Sequence, residues 1–470
     1  MDKKDWFLLG VFVFVFLVFL VAFFYLWQDK NKLESEIADL KIPIFKKVIQ
    51  VIEPKNSFLV AENIENINLL NFDVVKNNLI ANRESFIEAN LEKMVLTLYA
   101  SGTPVKTFPI LAKGRKGSWW ETPTGYYSIL GKSLNLFSSI GKVWMPYSMQ
   151  FYGNFFIHGW PYYSDGTLVP KSDSGGCIRL STEDARQVFQ FAQNKMPVLV
   201  LDHNTQLKNL EPLTIGENSV LNIDLSAESA LIADLDTGEV ILDKNSDTQY
   251  PIASLTKLMT AVVASELIYL DKTIQITAAM LSNDVQPYPL KVGKYYSAFD
   301  LLYPLFLESS NGSAKALASF LGEKFFVFQM NKKAQSLGMQ NTIFTDSSGV
   351  SDENVSTLED VAKLFKYILD KRRFIFDITI GNKSTIFGKG EFLNIENFNE
   401  FVGNKDLIGV KNGQSNQALQ SLGTVWRFFD NQGNERHIFI GVLKSENRKK
   451  DVELLLNWIK EQKILKEENN

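Results

Sequence analysis

Two pairs of side chains in this sequence have the types and spacing that acyl transfer requires. The segment FFIHGWPYYSDGTLVPKSDSGGCIRL, residues 155–180, closes an apolar run on His158. Nineteen residues later it places Cys177, the only cysteine, after Ser174-Gly175-Gly176. A free thiol is mostly protonated at neutral pH, so a cysteine nucleophile needs a base or cation beside it. Histidine titrates in the range that fills this role. Glycines just before the thiol let backbone N–H groups turn inward to hold an oxyanion, each such donor lowering the barrier by about 2.7–4 kcal/mol. A buried structural cysteine beside an unrelated histidine is the plain alternative.

The second pair lies in Pro251-Ile-Ala-Ser-Leu-Thr-Lys-Leu-Met-Thr. Ser254 and Lys257 are three residues apart where a helix is predicted to begin, which puts them on one face, one turn apart. A hydroxyl is a weak nucleophile alone. A lysine whose pKa is lowered by burial and a neighbouring cation can take its proton. A second S-x-x-K, Ser139 to Lys142, sits in a glycine-flanked loop and reads as chance. Downstream of Ser254, Ser309-Ser-Asn311 follows after 55 residues, and Lys411-Asn412-Gly413 after 157 on a predicted strand.

The rest of the chain must position these groups. Its 470 residues, 45% of them hydrophobic, exceed one core, which stops growing near ~250–300 residues. Two or more folded units are expected. A net charge of −4 leaves no basic excess for nucleic acid, and one cysteine with three histidines argues against disulfides and zinc. Residues 6–27, WFLLGVFVFVFLVFLVAFFYLW, carry no charge. As a helix they would span ~33 Å, against a hydrocarbon core of ~30 Å. No small-x-small site follows, so residues 1–28 read as an uncleaved membrane anchor, not a signal peptide. Flanking lysines on both sides leave its orientation open.

Residues 29–84 begin as a charged stalk and then resist assignment. From 85 to 203, short apolar runs broken by Gly and Pro predict a mostly β domain, with a turn at Ser101-Gly102. A polar linker, 204–218, leads to an α/β or α+β unit over 219–464. That unit opens with two strands turning at Asp236-Thr237-Gly238. Helices are predicted over 255–269, 298–307, 314–325 and 450–463, and strands over 422–429 and 437–443.

Residues 85–201 resemble the L,D-transpeptidase catalytic domain of the YkuD type. The resemblance lies in Thr122-Pro-Thr-Gly-Tyr-Tyr, Met145-Pro-Tyr-Ser-Met-Gln-Phe, Ile157-His-Gly and Ser174-Gly-Gly-Cys-Ile-Arg-Leu, in the family's order and spacing. It implies Cys177 as nucleophile and His158 as its base. The N–H groups of Gly175, Gly176 and Cys177 would form the oxyanion hole, with Arg179 beside the substrate. Gly175 stands where the family usually has histidine.

From Ser219 onward the chain resembles D-alanyl-D-alanine carboxypeptidases, the low-molecular-mass penicillin-binding proteins, through the three boxes above. Leu337-Gly-Met-Gln-Asn-Thr-Ile-Phe, Ser348-Gly-Val and Ile440-Gly-Val-Leu add to the likeness. This implies Ser254 as the acylated nucleophile, Lys257 as general base, Ser309 as proton shuttle and Asn311 as a grip on the substrate amide. Lys411, Asn412 and Gly413 would bind substrate, Lys411 supplying charge for its terminal carboxylate. The oxyanion would lie between the N–H of Ser254 and one on the strand carrying Lys411. Asn412 replaces the family's Thr or Ser and is expected still to donate, at a different angle, with weakened carboxylate recognition.

Together the resemblances imply a bifunctional peptidoglycan-remodelling enzyme. The serine domain would remove the terminal D-alanine of pentapeptide stems, and the thiol domain would cross-link or trim the resulting tetrapeptides. They imply no cofactor, no metal and no nucleic-acid partner. β-Lactams would be covalent inhibitors, and a single-pass cytoplasmic-membrane protein would hold its catalytic domains outside the cell. A flexible tether would give effective concentrations of ~mM where geometry permits. A cell-wall-binding scaffold with one or both sites inactive is the alternative, as is a working thiol domain whose partner only positions stems.

Overall fold

The alternation that begins at residue 85 folds into two sheets. In a computed structural model of the chain, described over residues 59–60, 72–202, 213, 223–282, 290–382, 391–392, 394–462 and 465–466, strands β2 (Phe86–Asn90), β3 (Val95–Ala100) and β4 (Thr103–Pro109) form a meander. The β3–β4 turn is Ser101-Gly102, both with positive φ (47° and 78°), as a two-residue hairpin of matching twist requires. A Cβ at Gly102 would stand 2.5 Å from the Ile80 carbonyl oxygen, so the turn also needs the missing side chain. Strand β10 (Pro197–Leu201) returns parallel to β2, and β5 (Gly125–Ser128) completes the order β4-β3-β2-β10-β5. The second sheet runs in chain order through β6 (Gly131–Ser138), β7 (Val143–Tyr152), β8 (Phe155–His158) and β9 (Ile178–Arg179). Helix α2 (Thr182–Phe191), capped by Ser181, packs against β7.

The second unit is an antiparallel sheet in the order β1 (Leu59–Val60), β12, β11, β19, β18, β17, with β20 (Leu465–Lys466) on β18. Its members are β11 (Ser229–Asp234), β12 (Val240–Lys244), β17 (Leu407–Ser415), β18 (Leu419–Asp430) and β19 (Glu435–Ser445). Two short ladders stand apart: β13 (Tyr250–Pro251) with β16 (Val355–Ser356), and β14 (Thr273–Gln275) with β15 (Tyr295–Ser297). Helix α3 (Thr256–Leu267) is buried at all 12 positions, with Lys257 and Glu266 among them. Around it lie α4 (Ala298–Leu307), α5 (Asn311–Ser319), α6 (Glu323–Ser336), α7 (Leu358–Lys371) and α8 (Phe374–Thr379). Helix α9 (Arg448–Glu461) belongs to a separate core in which Leu455 and Trp458 join Trp426 of β18. The single helix expected over 314–325 is two helices, because Gly322, at φ 85°, ends the first path.

The previously unassigned residues supply two elements. Strand β1 (Leu59–Val60) adds to the edge of the second unit's sheet, opposite Asp243 and Leu242. Helix α1 (Phe72–Ala81) sets Leu79 on the stacked rings of Phe86 and Tyr99. The expected anchor, residues 1–28, lies outside the described residues, as does the 204–218 linker apart from Leu213. Among the described residues no helix is long and apolar enough to cross a membrane.

The two catalytic-type units share one interior. A single apolar cluster runs from Ile87, Phe151 and Val198 to Leu258, Phe306 and Phe365. Buried charges sit at the junction. Glu266 of α3 accepts from Arg372 at 2.9 Å and lies 3.1 Å from Lys333, all three fully buried. Lys333 also donates to Tyr127 of the first unit at 3.1 Å. Lys371 pairs with Glu121 at 2.8 Å and with Asp202, again across the junction. Burial alone would raise the Glu266 carboxyl, but the Lys333 and Arg372 charges outweigh it and hold it below its usual value. Removing one member of such a buried set costs about 3–5 kcal/mol, because the remaining charges lose their partner. The halves are therefore docked, not loosely strung.

Candidate active sites

Parallel pairing of β8 with β9 places Ile157 opposite Ile178 and His158 opposite Arg179. This brings His158, Cys177 and Arg179, distant in sequence, onto the wall of one cavity of about 420 Å³. The Cys177 thiol points to the Asn154 carbonyl oxygen, 3.8 Å away. His158 Nδ1 lies 2.6 Å from the Gly159 carbonyl oxygen. That oxygen can only accept, so Nδ1 carries the proton and Nε2 keeps the lone pair a base needs. Burial, aided by the Arg179 charge, pushes His158 down to about 4, and burial pushes the Cys177 thiol up to about 11. At neutral pH the imidazole is therefore neutral and the thiol protonated.

The loop before the thiol is fixed by its own hydrogen bonds. Ser174 Oγ donates to the Cys177 carbonyl at 2.5 Å and accepts from the Gly176 N–H at 3.1 Å. Thr122 Oγ1 donates to the Gly176 carbonyl at 2.8 Å. Gly176 sits at φ 106°, where a Cβ would come 2.3 Å from the Phe155 ring. Of the three N–H groups expected to hold the oxyanion, that of Gly176 is turned to Ser174. The N–H groups of Gly175 and Cys177 have no partner among the described residues. A Cβ at Gly175 would meet nothing within 4 Å, so the space for a side chain is open. Arg179 holds its guanidinium 5.7 Å from the Trp160 ring centre and 3.5 Å from the Ser172 carbonyl.

The serine site forms where a short 3-10 turn, Ala253–Leu255, leads into α3. Lys257 is fully buried, and its Nζ donates to Ser254 Oγ at 2.8 Å, to Asn311 Oδ1 at 2.8 Å and to the Ser348 carbonyl at 2.6 Å. Ser348 is held in turn by Asp346, which accepts from both its N–H and its hydroxyl. Ser309, at the strained φ of 58°, directs its Oγ to Lys411 Nζ at 3.2 Å. Burial first, and then the Lys257 charge, push Lys411 well below its usual range, with Glu400 opposing them. Strand β17 passes so close to the nucleophile that a Cβ at Gly413 would lie 3.1 Å from the Ser254 nitrogen.

Asn412 departs from expectation. Its amide donates to the Phe398 carbonyl and to Glu400 Oε2, each at 3.0 Å, and its Oδ1 accepts from Lys411 at 2.9 Å. Both hydrogens counted on for a substrate carboxylate are spent within the protein. Glu400 also pairs with Arg448 at 2.5 Å, and Arg448 donates to the Gly413 carbonyl at 2.9 Å. Neither Glu400 nor Arg448 was visible as a site residue, because only the fold brings residues 400 and 448 to the end of β17. The stray pair, Ser139 and Lys142, lies exposed in the β6–β7 turn.

A thiol–imidazole pair in a β domain and a Ser–Lys pair at a buried helix start define the class: a transpeptidase-type thiol domain fused to a penicillin-binding-type serine domain. Family profiles agree, with the L,D-transpeptidase catalytic domain matching residues 84–200 and D-alanyl-D-alanine carboxypeptidase matching residues 216–427. The chain belongs to the D-alanyl-D-alanine carboxypeptidase family and carries an L,D-transpeptidase domain in front of it. It is 34% identical over 209 residues to the D-alanyl-D-alanine endopeptidase of Pseudomonas aeruginosa, covering 43% of this chain and 67% of that protein. It is 37% identical to the Escherichia coli D-alanyl-D-alanine endopeptidase, covering 30% and 47% respectively. The D-alanyl-D-alanine carboxypeptidase DacB2 of Mycobacterium tuberculosis is 29% identical, at 42% and 70% coverage. A crystal structure of a D-alanyl-D-alanine carboxypeptidase from M. tuberculosis H37Rv superposes with a TM-score of 0.45 and 25% identity, over 53% of this chain and 96% of that one.

Proposed function

We propose that this chain is a bifunctional peptidoglycan-remodelling enzyme that acts outside the cytoplasmic membrane. Its serine site removes the terminal D-alanine of stem pentapeptides, and its thiol site cross-links or trims the tetrapeptides that result. The observation that carries the reading is Lys257 Nζ at 2.8 Å from both Ser254 Oγ and Asn311 Oδ1. In the proposed cycle Ser254 Oγ bonds to the penultimate D-alanine carbonyl carbon as its proton passes to Lys257. As the peptide C–N bond breaks, Ser309 hands its proton to the departing D-alanine nitrogen and recovers one from Lys257. Water then hydrolyses the ester, Lys257 taking the water's proton and returning it to Ser254 Oγ. The endopeptidase names of two relatives fit the same chemistry on an internal bond.

At the thiol site the Cys177 proton moves to His158 Nε2 as sulfur bonds to the carbonyl carbon preceding the last D-alanine. The imidazolium returns that proton to the leaving amine. The thioester is then resolved by the amine of another stem, giving a cross-link, or by water, giving a trimmed stem. Intact-mass analysis of the full chain tests both nucleophiles. A penicillin should leave one adduct on Ser254, and a carbapenem an adduct on Cys177. Folded protein with no adduct at either residue would instead support a cell-wall-binding scaffold.

A further inference from the structure

The cavity that holds Cys177 and His158 is built from both domains. Part of its wall is made by Ser265, Glu266, Ile268 and Tyr269, at and just beyond the C-terminal end of α3. Those residues belong to the serine domain, whose nucleophile lies at the other end of the same helix.

We infer that the serine domain supplies one wall of the stem-peptide subsite beside Cys177, with Tyr269 as its specificity-determining contact. This rests on the L,D-transpeptidase reading and deepens it. Tyr269 is 41% exposed, yet its ring is held edge-on to Trp119 (4.6 Å, 83°), and Trp119 edge-on to Trp120 (4.9 Å, 89°). All three rings line the cavity. Below them the junction is locked. Asn154 Nδ2 donates to the carbonyl of Leu267, the last residue of α3, at 3.3 Å. Gly153 packs so tightly that a Cβ there would stand 2.1 Å from Leu267 Cδ2. The carbonyl of the same Asn154 accepts from the Cys177 thiol. One residue thus touches the end of α3 with its side chain and the nucleophile with its backbone.

The chemistry of the wall selects its ligand. Glu266 is already engaged by Lys333 and Arg372, so its carboxylate adds little free charge. What remains of the serine domain's share is the Tyr269 ring and the Ile268 side chain, and Phe137 and Ile140 line the same cavity. Such walls take methyl and methylene groups, which a stem peptide presents through its alanines and its diamino-acid side chain. Either the acyl-donor or the acyl-acceptor stem carries these groups.

The test uses the full chain and two assays: D-alanine release from a tetrapeptide stem in water, and exchange onto a tripeptide stem bearing a free side-chain amine. In Tyr269→Ala the KM for a stem should rise about tenfold, the size of one aromatic contact, with kcat within about twofold of wild type. A rise in the hydrolysis assay assigns the wall to the donor stem. A rise confined to the exchange assay assigns it to the acceptor. Tyr269→Phe should keep the wild-type KM, and penicillin labelling of Ser254 should stay unchanged, showing an intact fold. If the alanine variant fails to label, Tyr269→Leu, which keeps apolar volume, carries the comparison. Unchanged KM in both assays, or a loss in kcat alone, overturns the inference while leaving the transpeptidase reading standing. Wild-type protein that neither releases D-alanine from tetrapeptide nor forms a Cys177 adduct overturns both.

Discussion

Lys257→Ala should slow penicillin acylation of Ser254 by about 10²–10⁴-fold, the usual contribution of a positioned general base. The geometry leaves no substitute: the Lys257 amine is the only hydrogen-bond partner seen for Ser254 Oγ among the described residues, at 2.8 Å. Lys411 is directed instead to Ser309. The variant should also melt earlier. The buried Ser348 carbonyl loses the Lys257 donor, and a buried group that loses its donor costs about 1–3 kcal/mol. Stopped-flow acylation of folded protein well below its melting temperature separates the kinetic loss from the stability loss. A rate within tenfold of wild type would place the base elsewhere.

The thiol site should behave oppositely to one with a preformed thiolate–imidazolium pair. With Cys177 pushed up to about 11 by burial, thiolate at pH 7 is about one part in 10⁴. Alkylation of Cys177 by iodoacetamide should therefore climb about tenfold per pH unit from pH 7 to 10, without a plateau near neutrality. The sign follows from the raised pKa, because each unit of pH below it removes nine-tenths of the thiolate. His158→Gln should change this alkylation little at pH 10, where solvent base does the work. The same change should lower the rate of stem acylation at pH 7 by about 10²–10⁴-fold, the contribution of the general base that the proposed function assigns to His158. A flat alkylation profile between pH 6 and 9 would mean that the ion pair exists at rest.

Docking of the two domains changes what fusion can accomplish. A flexible linker would bring the first product to the second site by raising its local concentration. Here the sites stand at opposite ends of α3, whose 12 residues span ~18 Å. Their separation is set by a helix and a shared core, not by linker length. Under the proposed function, a trimmed stem would have to leave Ser254 and bind again at Cys177.

Residue spacing was enough to find what is local in the sites. Ser254 and Lys257 face each other because three residues make one helical turn, and Ser101-Gly102 reads directly as a hairpin. His158 and Cys177 were paired by type and family likeness, while the β8–β9 register that joins them involves strands 20 residues apart. What stayed hidden depends on long-range hydrogen bonds. Nothing in Asn412 itself shows that Phe398 and Glu400 take its amide, and nothing in the glycine run shows Ser174 capturing the Gly176 N–H. The junction was equally silent. Glu266, Lys333 and Arg372 look like ordinary surface charges in sequence, and only the packing of α3, α6 and α7 buries them together.

The most direct test follows one pentapeptide stem through the full chain and its two nucleophile variants by mass spectrometry. Wild-type protein should yield tetrapeptide first and tetrapeptide-derived cross-links later. Cys177→Ala should stop at tetrapeptide. Ser254→Ala should leave pentapeptide intact yet cross-link tetrapeptide supplied to it. Cross-links formed from pentapeptide by Ser254→Ala at the wild-type rate, or D-alanine release that survives both substitutions, would contradict the account.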